Sequence, residues 1–86
     1  KAFVQWSKTS FEDRAEILKK AAEHLRERRA DLIGSMIIEG KKIIPEADSE
    51  VSEAIDFAEY YRRQIPDVPG VEFKPKGIVL VASPWN

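Results

Sequence analysis

The feature that most limits the fold of this chain is an uninterrupted apolar run, Ile-Val-Leu-Val-Ala, at residues 78–82. A run without polar interruptions is typical of a strand in a parallel sheet that is covered on both faces. The backbone N–H and C=O groups of such a strand need neighbouring strands as partners. Only one other strand is predicted, at residues 71–74, where apolar and polar residues alternate. We therefore expect an α/β fold whose remaining strands lie outside these 86 residues.

Helical spacing precedes the run, from residue 9 to residue 65. The sequence Thr9-Ser10-Phe11-Glu12 fits a capping box, with Thr9 as the N-cap and Glu12 as its reciprocal partner. Apolar residues of the first helix then recur at alternating steps of four and three, which is the spacing of one helical face. They are Phe11, Ala15, Leu18, Ala22 and Leu25.

Two further helices are predicted after a break near Arg28. The second should end at Gly40, a residue favoured just beyond a helix. The third should begin near Pro45, a favoured first-turn residue, and end at Pro66. Its apolar face is Val51, Ile55, Ala58 and either Tyr61 or Arg62. The chain is thus divided into a helical segment, residues 1–66, and a connector with the first strands, residues 67–86.

Composition excludes several classes of protein. The chain has no cysteine, so disulfides, thiolate metal sites and a cysteine nucleophile are all absent from it. One histidine without suitably spaced carboxylates predicts no metal site. The 14 Lys and Arg residues balance 15 Asp and Glu residues, which argues against a nucleic-acid-binding module. The apolar run is far too short for a membrane span, and no signal peptide is visible, so the cytosol is the expected compartment. Since the sequence begins at Lys1, we expect an excised segment of a longer protein.

The residues most suited to chemistry come directly after the apolar run: Ser83, Pro84, Trp85 and Asn86. In open α/β sheets, ligands bind beyond the carboxyl ends of the strands. The Asn86 amide offers two N–H donors, which suit a developing oxyanion. The alternative is a loop in which Trp85 covers a core and Asn86 closes a turn, and four residues alone favour that alternative.

Other conspicuous side chains have simpler interpretations. His24 is expected to be a solvated helical residue, and Trp6 an anchor for the N-terminal arm. The arginines at positions 26, 28 and 29 alternate with acidic residues, which indicates a solvated face. Packing is the expected role of the aromatic residues Phe57, Tyr60 and Tyr61.

Residues 77–86 resemble the segment of the aldehyde dehydrogenase superfamily in which a Gly-Val-Val-type strand runs into Pro-Trp-Asn. The resemblance continues upstream and covers nearly the whole chain. It includes Trp6, the Arg14-Ala15 and Leu18 pattern, the charged stretch 25–29, Glu39-Gly40-Lys41 and the helix 51–61. Residues 53–61 and Ser83 are most similar to glutamate γ-semialdehyde (pyrroline-5-carboxylate) dehydrogenases, including those within bifunctional proline utilisation A proteins.

This resemblance implies an enzyme of proline metabolism that oxidises an aldehyde to a carboxylate with NAD or NADP. It implies N-terminal helices followed by the first strands of a cofactor-binding domain. Asn86 would stabilise the oxyanion of the thiohemiacetal, Ser83 would contact the nicotinamide cofactor, and Pro84 and Trp85 would line its cleft. The partners implied are the rest of the polypeptide, a small aldehyde and further copies of the full-length protein. Without a cysteine, the 86 residues should be inactive alone.

A rival function belongs to another class of protein. The helical set over residues 9–65 is complete enough for a small interaction module whose strand 78–82 adds to a partner's sheet. The two functions differ in the sequence required after Asn86, because an enzyme needs further α/β units and a cysteine there.

Overall fold

The computed structural model describes residues 1–64 and 68–84, and its regular elements are four α-helices. They are α1 (Ala2–Trp6), α2 (Phe11–Glu27), α3 (Arg29–Gly40) and α4 (Ile44–Arg62). The three predicted helices correspond to α2, α3 and α4. The short α1 was not predicted, because five residues are too few to show a helical period.

The start of α2 lies one residue later than the predicted capping box. Ser10, not Thr9, is the N-cap, and its Oγ accepts the Asp13 N–H at 3.1 Å. The Thr9 N–H donates to the Trp6 carbonyl at 3.0 Å, which holds Thr9 in the turn after α1. Ser10 has the extended backbone of an N-cap residue (φ −65°, ψ 160°).

The predicted break at Arg28 is confirmed, since its backbone (φ −101°, ψ 18°) separates α2 from α3. The predicted end of α3 at Gly40 is also confirmed. However, the left-handed residue that closes this helix is Lys41, with φ 53°. The Lys42 N–H then donates to the Met36 carbonyl at 3.3 Å, which satisfies one of the last carbonyls of α3.

We expect Lys41→Gly to raise the free energy of unfolding by up to about 1 kcal/mol, because a side chain in the left-handed region is strained and glycine is not. Urea unfolding followed by circular dichroism measures the change. Ala21→Gly, at an exposed position inside α2, should instead lower stability by about 0.5–1 kcal/mol. A loss in Lys41→Gly as large as in this control would contradict the prediction.

The core lies where α2 and α3 pack against α4. Ala22 of α2 and Val51 and Ile55 of α4 are buried, which confirms the central part of the predicted faces. Phe11 and Tyr61, at the ends of those faces, are exposed. Ala47 is the fourth buried hydrophobic residue of the described chain, so the core is small. No described helix has the length and apolar character needed to cross a membrane. Partly buried apolar residues surround the core: Leu25, Leu32, Ile33, Met36 and Ala58.

The predicted α/β class is wrong: neither predicted strand forms, and residues 1–64 and 68–84 contain no strand at all. Residues 71–74 and 78–82 are exposed, with 91% of Ile78 and 89% of Leu80 accessible. A strand exists only through hydrogen bonds to a neighbouring strand, and the helices offer no sheet edge. The helical part ends at Arg62, and the predicted terminator Pro66 lies outside the described residues.

Candidate functional site

The four residues predicted to carry chemistry lie at the end of the segment after α4. Ser83 and Pro84 are both exposed to solvent. Trp85 and Asn86 lie outside the described residues. The structure therefore leaves the first two accessible to a ligand, and the roles of all four remain predictions.

The segment that leads to Ser83 lies beside α1. Gly77 has a φ of +91°, which an L side chain rarely adopts, and a Cβ there would meet the Phe3 ring at 3.8 Å. An open groove of about 700 Å³ separates the two stretches of chain. It is lined on one side by Ala2, Phe3, Gln5, Trp6 and Thr9, and on the other by Gly77, Ile78 and Val79. The helix α1 thus forms one wall of a groove whose other wall is residues 77–79.

Trp6 connects α1 to α2 through Arg14. The Arg14 guanidinium lies 5.2 Å from the centroid of the Trp6 ring, a cation–π geometry, and its Nη2 donates to the Trp6 carbonyl at 2.8 Å. The interpretation of Trp6 as an anchor is therefore confirmed. Its partner Arg14 was not foreseen, because an eight-residue separation across a turn gives no periodic signal.

The predicted solvated arginine face has a more specific structure than expected. Arg28, the residue between α2 and α3, pairs with Asp31 in the first turn of α3 at 3.3 Å. Arg29 reaches across to α4, donating to the Asp48 carboxylate at 2.9 Å and to the Ser52 hydroxyl at 2.6 Å. These contacts fasten α3 to α4, so Arg29 has a structural role in addition to being partly solvated.

Glu59 is the most densely paired acidic residue. Its carboxylate accepts from Arg62 Nε at 2.7 Å, from Arg26 at 3.3 Å and from Arg63 Nη2 at 3.4 Å. The Glu59 side chain is 18% exposed. The hydrogen bond from Arg62 is the main cause that lowers the Glu59 pKa below its ordinary value of 4.5. The charges of Arg62 and Arg26 act in the same direction, and burial opposes them. The cluster joins α2 to α4 and explains its charges without a ligand.

A lowered Glu59 pKa predicts a stability contribution that is complete above about pH 4.5 and lost as the pH falls through the folded-state pKa. Glu59→Gln should therefore be less stable than the parent at neutral pH, and the difference should vanish in acid. Glu53→Gln, exposed on the same helix, is the control and should change little. The prediction is checked by urea unfolding across a pH series, and a difference between parent and Glu59→Gln that does not depend on pH would contradict it.

His24 and the aromatic residues of α4 behave as structural residues. The His24 side chain is 75% exposed and lies 3.7 Å from Glu27. The Phe57 and Tyr61 rings stack with centroids 6.1 Å apart, and Tyr60 meets Tyr61 edge to face at 5.4 Å. Across residues 1–64 and 68–84, no group of acidic and histidine side chains is arranged to hold a metal ion.

Comparisons with known proteins agree on one family. The model of the family described as "Aldehyde dehydrogenase family" matches residues 1–86. A 1-pyrroline-5-carboxylate dehydrogenase of Geobacillus sp. (strain WCH70) is 42% identical, and the match covers 99% of this chain and 19% of that protein. A 1-pyrroline-5-carboxylate dehydrogenase 2 of Bacillus subtilis (strain 168) is 35% identical over the whole chain and 19% of its own length. The chain thus spans about a fifth of these curated relatives. No solved structure matches it.

Proposed function

The chain belongs to the aldehyde dehydrogenase family, and we propose that it is the N-terminal part of an NAD(P)-dependent enzyme that oxidises an aldehyde to a carboxylate. The observation that carries this proposal is the family match over all 86 residues. The aldehyde we propose is glutamate γ-semialdehyde, the open form of 1-pyrroline-5-carboxylate. Both relatives described above are named for dehydrogenation of that compound.

In this proposal the chain supplies the hydrogen-bond donor for the oxyanion, and another part of the polypeptide supplies the nucleophile. A cysteine thiolate attacks that carbon, and the carbonyl oxygen becomes an oxyanion. The two N–H donors of the Asn86 amide stabilise the negative charge as it develops. The thiolate comes from a part of the polypeptide beyond these residues, because the chain contains no cysteine. The 86 residues alone should therefore be inactive.

The residues present fit one edge of a nicotinamide site. Ser83 presents an exposed hydroxyl, which can donate and accept, and the exposed Pro84 ring fixes the backbone beside it. Neither glycine of the segment, Gly70 or Gly77, precedes a helix within the described residues, so the phosphate-binding loop must come from elsewhere in the protein. When bound, NAD or NADP accepts the hydride removed from the substrate carbon. Ser83, Pro84 and Trp85 would hold its nicotinamide end against the reacting group.

The remaining residues act as a scaffold in this proposal. In this proposal residues 1–66 are one unit, whose described helices end at Arg62, and residues 67–86 are the connector that would lead from it to the cofactor cleft. Within this scaffold Trp6 packs against Arg14, and Gly77 of the connector lies near the Phe3 ring of α1. The partners we propose are the rest of the polypeptide and further copies of the full-length protein, which would act in the cytoplasm.

The proposal is tested on the native gene product, isolated from a lysate with an antibody raised against this segment. Because the chain spans 19% of its relatives, we expect an intact mass about five times that of the chain. The isolated protein should reduce NAD or NADP when glutamate γ-semialdehyde is added. A product of about this chain's own mass that is inert towards aldehydes would overturn the proposal and favour the helical interaction module.

A further inference from the structure

A second concave site is lined by residues that do not line the groove beside α1. It is a pocket of about 470 Å³ between the first turn of α2, the end of α4 and the segment after residue 68. Its apolar walls are the side chains of Phe11, Val68, Phe73 and Pro75. The polar groups that line it are Arg14, Gln64 and Lys74. No acidic side chain is among the described residues that line it.

The Arg14 guanidinium carries the most informative observation in this pocket. Its Nε is buried and has no hydrogen-bond partner. One other nitrogen, Nη2, donates to the Trp6 carbonyl, and the Trp6 ring covers one face of the group. A buried charged donor without an acceptor is costly, so the position of Nε favours an acceptor that completes it.

We propose that this pocket binds a carboxylate attached to an apolar body. The planar guanidinium fork of Arg14 matches the two oxygens of a carboxylate. Lys74 adds a second positive charge at the rim, where its ammonium is 3.9 Å from Glu72 and remains 77% exposed. Gln64 offers a neutral amide donor. Phosphate fits less well, because its double charge would lie against walls that are mostly apolar.

Phe73 and Arg14 both line this pocket. Phe73 is 49% exposed and belongs to the segment that makes neither helix nor strand, so its ring can turn aside without breaking a backbone hydrogen-bond ladder. Two sources of the same chemistry fit the pocket. One is a small organic acid from solution, and the other is an Asp or Glu side chain from a part of the polypeptide outside these residues.

The first arm of the test titrates sodium hexanoate into the protein expressed from its complete gene, with binding followed by ligand-observed NMR. We expect binding that Arg14→Met weakens about 10- to 100-fold, the effect of losing hydrogen bonds to a charged group. Arg14→Lys should not restore it, because lysine keeps the charge and loses the fork. Lys74→Met, which leaves the Trp6 contact intact, should weaken binding severalfold, and neutral hexanamide should not bind.

The second arm treats the same protein with a carbodiimide, which joins an amine to a carboxylate in direct contact, and locates the bond by mass spectrometry. A link from Lys74 to an acidic residue outside residues 1–86, lost in Arg14→Met, identifies a protein carboxylate as the occupant. Lys20→Met, on an exposed part of α2, is the control in both arms and should change neither result. If Arg14→Met and Lys74→Met both leave hexanoate binding unchanged, hexanoate binds at another site. If, in addition, no cross-link forms at Lys74, the proposal is overturned.

Discussion

Replacing Ile55 by alanine should lower the free energy of unfolding of this chain by about 2–5 kcal/mol, because it leaves a cavity at the centre of the core. Ile55 is 5% exposed and packs with Ala22 and Val51 where α2 meets α4. A domain of this length has a free energy of unfolding of about 4–13 kcal/mol. Only four hydrophobic side chains are buried among the described residues, so we expect this chain to lie at the low end of that range. The substitution should therefore unfold much of the chain.

Urea unfolding followed by circular dichroism measures this loss. Ile55→Val, which removes one methylene, should cost only about 0.5–1.5 kcal/mol. Ile38→Ala is the matched control, because Ile38 is 79% exposed on α3 and the same atoms are removed from a solvated position. Equal losses at positions 38 and 55 would mean that the α2–α4 contact is not the core.

The helices were predictable because their information is local. The spacing of Ala22 and Leu25, and of Val51 and Ile55, already identified the two faces that meet in the core. The break near residue 28 came from the interruption of the apolar pattern, and the end at residue 40 came from the preference for glycine at helix ends. The N-cap was misplaced by one residue because threonine and serine, at positions 9 and 10, are both good caps. The choice between them depends on the turn that α1 imposes.

Whether the two predicted strands form could not be decided from the local sequence pattern. Residues 78–82 have the composition of a buried strand, but a strand also needs a hydrogen-bonded neighbour, and the described residues provide none. The same limit applies to contacts between helices. The pairs Arg26–Glu59 and Arg29–Asp48 join residues 33 and 19 positions apart, a separation that periodicity within one helix does not report.

For the candidate site, too, local sequence predicted some features and only the structure revealed others. The segment at residues 77–86, together with the upstream pattern, pointed to the family that the comparisons then matched over the whole chain. The accessibility of Ser83 and Pro84 came from the structure. Phe3 and Arg14 were missed as neighbours of the two concave sites, because their importance depends on where α1 packs.

Asn86→Ala in the full-length protein should lower kcat for aldehyde oxidation by about 10²–10³-fold, the effect of removing one side-chain donor from an oxyanion site. In its proposed role the Asn86 amide would act on charge that develops only in the transition state, so KM should change much less than kcat. Steady-state kinetics with glutamate γ-semialdehyde and NAD measure both constants. Asn86→Asp should be at least as impaired, since a carboxylate repels the developing oxyanion.

The controls separate lost chemistry from lost structure. Glu23→Gln, exposed on α2, should leave both constants unchanged. Ser83→Ala removes the hydroxyl proposed to face the cofactor, so it should raise the KM for NAD more than it lowers kcat. If Asn86→Ala instead raised KM for the aldehyde and left kcat intact, the amide would bind the ground state, and Asn86 would be a substrate-positioning residue. If neither constant changed, Asn86 would have no part in the oxyanion site, although the family membership of the chain would be unaffected.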